Sequence, residues 1–103
     1  MAIWGDYDAD GVTSTALALE VLHHHGFDAL RHLPDRRSEG YGMNAGGVEE
    51  LARQGVSLLL TVDCGISDVA AIARARELGM DVVVTDHHLP PELLPPATVL
   101  CNP

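Results

Sequence analysis

Lysine is absent from this 103-residue chain, in which fifteen acidic residues against six arginines give a formal charge of −9. Without lysine there is no P-loop, because that phosphate-binding motif requires G-K-[ST]. The acidic balance also disfavours a broad basic surface for nucleic acid, since phosphate contacts usually come from positive side chains. Contact with an anion would therefore depend on bound cations or on the single basic pair, Arg36 and Arg37.

Long apolar runs and closely spaced cysteines are also missing. No run of about 18 apolar residues occurs, so we expect no transmembrane helix and no membrane partner. The first residues, MAIW, lack the basic and apolar regions of a signal peptide. Cys64 and Cys101 are too far apart for C-x-x-C spacing, and we expect two free thiols in the cytoplasm. A hydrophobic content of 47% predicts one compact domain or part of a larger one.

The stretch GDYDADG at 5–11 has the spacing of the first half of an EF-hand loop, with carboxylates at Asp6, Asp8 and Asp10. A calcium loop also needs a bidentate Glu at its twelfth position, and counting from Asp6 that position is Leu17. The calcium interpretation therefore fails. Asp10 alone is explained by the dipole of a following helix, but three alternating carboxylates repel one another unless a cation is present.

Short apolar runs alternate with helical stretches along the chain, which indicates right-handed βαβ crossovers. The expected strands cover residues 2–5, 27–33, 57–62, 81–85 and 97–101. The expected helices cover residues 11–25, 44–55 and 67–78, with Ser67 as a cap and a short helical turn among the later prolines. The first helix is expected to bury Val12, Thr15, Ala16, Leu19 and Leu22. We predict an α/β fold with a parallel sheet of about four to five strands and helices on both faces.

Metal-binding side chains follow several of these strands. The acidic turn comes after the first, Asp63 after the third, and Asp86, His87 and His88 after the fourth. Because parallel strands end at one edge of a sheet, these residues should converge. Carboxylates with imidazole suit manganese or zinc, and carboxylates suit magnesium. There are enough ligands for two ions, the usual arrangement for phosphoester cleavage. The run His23–His25 is interpreted as structural, since positive charge is favourable at a helix C-terminus.

Three motifs in this order, GDYDADG at 5–11, TVDCG at 61–65 and VTDHH at 84–88, resemble the first three motifs of the DHH phosphoesterase superfamily. The stretch LPDRRSEGYGMN at 33–44 is similar to the RecJ branch, the single-strand-specific 5′→3′ DNA exonucleases. The resemblance covers nearly the whole chain. It implies that residues 1–103 are a partial DHH domain with motifs one to three, and that the fourth motif and the second domain are absent.

The resemblance also implies roles for individual residues. The implied ligands of two Mn²⁺ or Mg²⁺ ions are Asp8, Asp10, Asp63 and His87. Asp63 would bridge the two ions. His88 would face the scissile phosphate as a catalytic residue, and Asp86 would orient the loop that carries both histidines.

Further roles are implied for the loop between the second strand and second helix. Arg36 would hold the 5′ phosphate, a task suited to a planar guanidinium that donates two parallel hydrogen bonds. Tyr41 either stacks on a base or packs within the loop, and Arg37 is either a contact or a solvated residue.

Asp6, in the turn after the first strand, is expected to support the ligands. Trp4 stands where some related enzymes have a ligand histidine.

The favoured hypothesis is a RecJ-type nuclease core of DNA repair and recombination, which hydrolyses single-stranded DNA from a 5′-phosphorylated end. One alternative is a DHH phosphoesterase for short oligonucleotides or cyclic dinucleotides, which the EGYG loop with Arg36 disfavours. Another is a catalytically inactive metal-binding fragment that self-associates through an exposed sheet edge. With the fourth motif and second domain expected to be absent, the activity of this chain is a separate question from its ancestry.

Overall fold

A computed structural model describes residues 1–34 and 42–103. In these ranges, five strands alternate with three helices. The strands are β1 (Ala2–Gly5), β2 (Leu30–His32), β3 (Leu58–Val62), β4 (Asp81–Thr85) and β5 (Val99–Cys101). The helices are α1 (Ala9–His24), α2 (Ala45–Arg53) and α3 (Val69–Glu77). None of them is long and apolar enough to cross a membrane.

The strands form one parallel sheet in the order β2-β1-β3-β4-β5. This confirms the predicted α/β fold. The chain runs outward from β1 to β2 and then returns to place β3 on the other side of β1. The loops that leave β1 and β3 therefore diverge at a switch point, which is where open parallel sheets bind ligands.

The sheet face beneath α2 and α3 holds the main apolar core. Trp4 is fully buried there, and a Cβ added at Gly47 of α2 would lie 2.9 Å from the ring carbon Cζ3 and closer still to Cη2. Leu59, Val82 and Val84 of the sheet are also fully buried in this cluster. The absence of a side chain at Gly47 thus lets α2 approach Trp4 at the end of β1.

Helix α1 crosses the opposite face of the sheet through small residues. A Cβ at Gly5 would overlap Thr15 Oγ1, and one at Gly11 would overlap the backbone of the acidic turn. Gly11 and Thr15 are the buried residues of this helix. The predicted buried stripe is wrong at Val12 and Ala16, which are exposed, because the close approach at Gly11 and Thr15 sets the rotation of α1.

Several element boundaries differ from the sequence prediction. Helix α1 begins two residues early because Asp8 Oδ1 accepts a hydrogen bond from the Gly11 N–H at 2.8 Å and caps the helix. Helix α3 follows Asp68 rather than Ser67. Strand β2 has three residues, and residues 89–98 contain no helical turn, since the prolines there lack N–H donors.

Candidate metal centre

The loops after β1, β3 and β4 bring their acidic and imidazole groups together at the carboxyl edge of the sheet. Two groups of side chains have ligand atoms within 4.8 Å of one another. The first is Asp6, Asp8 and Asp63, and the second is Asp63, His87 and His88. Asp63 belongs to both groups, so it lies where one residue would contact two neighbouring ions.

The backbone of Asp63 is held in a conformation that L-residues rarely adopt. Its φ of 59° lies in the left-handed region, which costs roughly 1–3 kcal/mol for a residue other than glycine. The Asp63 N–H donates to Thr85 O at 3.0 Å, and Thr61 Oγ1 donates to Cys64 O at 2.7 Å. These hydrogen bonds fix the turn that points Asp63 at the other acids, and such strain is concentrated at functional sites.

The charge around Asp63 favours a bound cation. Burial raises the pKa of Asp63, as does the nearby Asp8 carboxylate, while a hydrogen bond from His87 opposes the shift. Asp63 Oδ1 accepts from His87 Nε2 at 2.7 Å. Asp63 Oδ2 is buried and has no hydrogen-bond partner within residues 1–34 and 42–103. An unpaired buried oxygen beside a second carboxylate is costly, and a divalent ion would satisfy both. The residues present therefore fit a metal.

The three acids of the turn after β1 occupy different environments. Asp6 is buried, its Oδ1 accepts from the Tyr7 N–H at 2.8 Å, and it belongs to the first ligand group. Asp8 combines membership of that group with the capping of α1. Asp10 is exposed in the first turn of α1 and belongs to neither group of the described residues. Its role as a metal ligand stays a prediction.

Asp86 organises the turn that carries the two histidines. Its Oδ1 accepts from the backbone N–H of His87 at 2.8 Å and from Nδ1 of His88 at 2.6 Å, and its Oδ2 accepts from the Ile66 N–H at 3.0 Å. Burial alone would raise the pKa of Asp86, but these hydrogen bonds together lower it. The hydrogen bond to Asp86 in turn raises the pKa of His88. Asp86 thus joins the loops after β3 and β4, the geometry that its predicted orienting role requires.

A cavity of about 200 Å³ opens beside this turn. Its lining residues are Gly65, Ile66, Ser67, Asp68, Asp86 and His88. His88 therefore lies between the candidate metal ligands and an open space, and its contact with a substrate stays a prediction.

Other sequence candidates lie elsewhere. Arg36, Arg37 and Tyr41 fall outside the described residues. The His23–His25 run ends α1, where His25 Nδ1 donates to Val21 O at 2.8 Å, and it contributes to neither metal-binding group of the described chain.

Some residues that shape the site were not among the sequence candidates. Thr85 Oγ1 donates to Thr61 O at 2.7 Å, and Asn102 Nδ2 donates to His88 O at 3.0 Å. The sequence offered a weak indication of Thr61 and Thr85, because each lies near the end of a strand and within two residues of a candidate site residue. Asn102 had none, since its partner is fourteen residues away. Trp4 packs in the core with its ring centroid 3.9 Å from that of His32.

Comparison with known proteins agrees with this geometry. Residues 1–103 match the model of the DHH family, N-terminal domain. The single-stranded-DNA-specific exonuclease RecJ of Haemophilus influenzae is 48% identical over 104 residues, which is 100% of this chain and 18% of that protein. The corresponding Bacillus subtilis protein is 45% identical over 101 residues, covering 98% of this chain and 13% of that protein. The chain therefore spans less than a fifth of the length of these relatives.

Solved structures give the same result. A crystal structure of exonuclease RecJ bound to manganese has a TM-score of 0.86 and 43% identity, and the match covers 95% of this chain and 25% of that one. RecJ from Thermus thermophilus in complex with Mn²⁺ has a TM-score of 0.78 and 38% identity, with 95% and 13% coverage. With the motifs, the sheet order and the family match in agreement, the chain belongs to the DHH family, whose N-terminal domain it matches along its whole length.

Proposed function

We propose that this chain is the metal-binding part of a RecJ-type exonuclease, which hydrolyses phosphodiester bonds of single-stranded DNA in repair and recombination. We further propose that residues 1–103 form the first part of a DHH domain, with motifs one to three. The similarity to single-stranded-DNA-specific exonucleases along the chain supports both proposals. The two free thiols, Cys64 and Cys101, are consistent with a reducing cytoplasm.

One observation carries the proposal: Asp63, strained and buried, belongs to both groups of converging ligands. A carboxylate shared between two sets of ligands is the arrangement that a two-ion centre needs. The two RecJ structures that the chain resembles are described as manganese-bound. We therefore assign Mn²⁺ or Mg²⁺ as the cofactor, with Asp8, Asp10, Asp63 and His87 as ligands and Asp6 beside them.

The ions, when bound, would generate hydroxide from water and stabilise the attacking and leaving oxygens. The protein's own contribution is positional. Asp63 and His87 keep a fixed distance through their 2.7 Å contact. Asp86 holds Nδ1 of His88, so Nε2 is the ring atom that would donate to a phosphate oxygen in the adjoining cavity. The raised pKa of His88 favours the protonated form that this donation requires.

The DNA would be held at its 5′ phosphate by Arg36. Three other arginines, on α2 and α3, are engaged by acids: Arg53 by Glu50, Arg74 by Glu49 and Glu77, and Arg76 by Asp81. They are therefore poorly placed to bind phosphate at the carboxyl edge of the sheet.

Self-association through a sheet edge is a second proposal, favoured by β5. Val99 is 50% exposed, Leu100 is 36% exposed, and Cys101 is exposed as well. An apolar edge strand of this kind is a template for pairing with another chain. Light scattering at increasing protein concentration should show a rising mass, and a constant monomer mass would exclude this proposal.

The nuclease proposal is tested with a 5′-phosphorylated single-stranded DNA and Mn²⁺, with Asp63→Ala as the inactive variant. Asp28→Ala is the matched control, because Asp28 is exposed. It precedes β2 and therefore lies at the amino ends of the parallel strands, away from the candidate metal centre. We expect turnover by the parent and the control and none by Asp63→Ala. Equal turnover in all three would contradict the proposal. Cleavage restricted to substrates of two to four nucleotides or cyclic dinucleotides would indicate the oligonucleotide phosphoesterase instead.

A further inference from the structure

Strand β5 and the residue that follows it, Asn102, hold the two ends of the Asp86–His88 turn. The Asp86 N–H donates to Cys101 O at 3.1 Å, which continues the sheet pairing of β4 and β5. At the other end of the turn, Asn102 Nδ2 donates to His88 O at 3.0 Å. The turn with both candidate histidines is therefore fixed at its first residue by the backbone of β5 and at its last by the Asn102 side chain.

The second of these contacts matters because the backbone beyond the turn is irregular. Leu89 is 91% exposed, and residues 89–98 form neither helix nor strand. The backbone after His88 is therefore not fixed by regular pairing. Asn102 itself precedes Pro103, and a residue before proline is restricted to extended conformations. The amide of Asn102 is thus presented from a constrained backbone to the His88 carbonyl.

We propose that Asn102 is a positioning residue for the metal centre. By holding the His88 carbonyl it fixes the orientation of the turn, and hence the directions in which the His87 and His88 rings point. These rings lie 4.7 Å apart, centroid to centroid, and His87 Nε2 contacts Asp63 Oδ1 at 2.7 Å. A small rotation of the turn would break that contact. The inference rests on the proposed metal site, and it adds a residue that does not touch the metal.

The test compares Mn²⁺ affinity in two variants of Asn102. Asn102→Ala removes the donor, and Asn102→Asp keeps the shape while replacing the donor with a carboxylate oxygen. We expect each to weaken Mn²⁺ binding about tenfold, as loss of a group that orients a ligand commonly does. Gln54→Glu is the control, because it makes the same amide-to-acid change at the exposed residue that directly follows α2; it should bind Mn²⁺ like the parent.

A metal-free measurement separates this inference from the proposed function. Nitrogen–proton correlation spectra of the imidazole rings should show shifted signals for His87 and His88 in both Asn102 variants and unchanged signals in Gln54→Glu. If the parent does not bind Mn²⁺, the proposed function fails, and the ring signals alone then decide the role of Asn102. Unmoved ring signals overturn the inference. So does Mn²⁺ affinity within twofold of the parent in Asn102→Ala. If one Asn102 variant does not fold, as judged by circular dichroism, the same criteria are applied to the other variant, which then decides the inference.

Discussion

Gly46 and Gly47 are adjacent positions of α2 at which the same substitution should have opposite effects. At Gly46, which is exposed, an added Cβ would meet only Asn44 Oδ1 among the described residues, at an ordinary 3.5 Å. Gly46→Ala should therefore stabilise the fold by about 0.5–1 kcal/mol, the helix propensity difference between the two residues. At Gly47 the same atom would overlap the fully buried ring of Trp4.

Overpacking of a dense core costs about 1–3 kcal/mol and occasionally more. At Gly47 the backbone must move, because Trp4 is fully buried and its ring lies against that of His32. After subtracting the propensity gain of about 1 kcal/mol, Gly47→Ala should lower the free energy of unfolding by up to about 2 kcal/mol. The two variants should thus differ by about 1–3 kcal/mol.

Urea unfolding followed by circular dichroism measures both free energies. The parent is the reference, and the slope against urea should be the same for all three proteins. If Gly47→Ala is as stable as Gly46→Ala, α2 does not pack against Trp4 as described. Because Trp4 lies two residues before Asp6, that result would also question the position of the acidic turn.

Three further predictions concern the site and its surroundings. Asp86→Asn should lower the free energy of unfolding by about 2–3 kcal/mol in urea titrations, because an amide cannot accept on both atoms; a loss under about 0.5 kcal/mol would contradict this. Burial raises the pKa of Asp68 in the folded chain, because it favours the protonated form. The stability that protonated Asp68 contributes is complete below its ordinary pKa and is lost as pH rises through its pKa in the folded chain. Asp68→Asn should therefore gain stability relative to the parent as pH rises above about 4, and a constant difference would refute this. In the folded chain a thiol reagent should modify exposed Cys101 and spare Cys64, which is buried and has a raised pKa; equal rates would contradict the burial.

The sequence predicted the sheet well because its central strands are short, continuously apolar runs bounded by turn residues. Leu58–Val62 and Asp81–Thr85 have no competing helical pattern. The convergence of Asp63 with the residues after β4 follows from topology alone, since all parallel strands end at one edge. Local patterns were therefore sufficient for the positions of these candidate ligands.

The orientation of α1 and the bracing of the site required the structure. A sequence pattern places the most hydrophobic stripe of a helix against the core. Helix α1 is instead oriented by the close approach of Gly11 and Thr15 to β1. The contact between Asn102 and His88 depends on the register of β5, which no local pattern encodes. The left-handed backbone of Asp63 likewise results from hydrogen bonds between two strands.

Mn²⁺ binding measured by isothermal titration tests the central claim, that Asp63 unites the carboxyl edge of the sheet into a metal centre. The parent and Asp28→Asn should bind Mn²⁺ with the same affinity, and Asp63→Asn should lose most of that binding while remaining folded. Binding by Asp63→Asn equal to that of the parent, or no binding by the parent, would contradict the account.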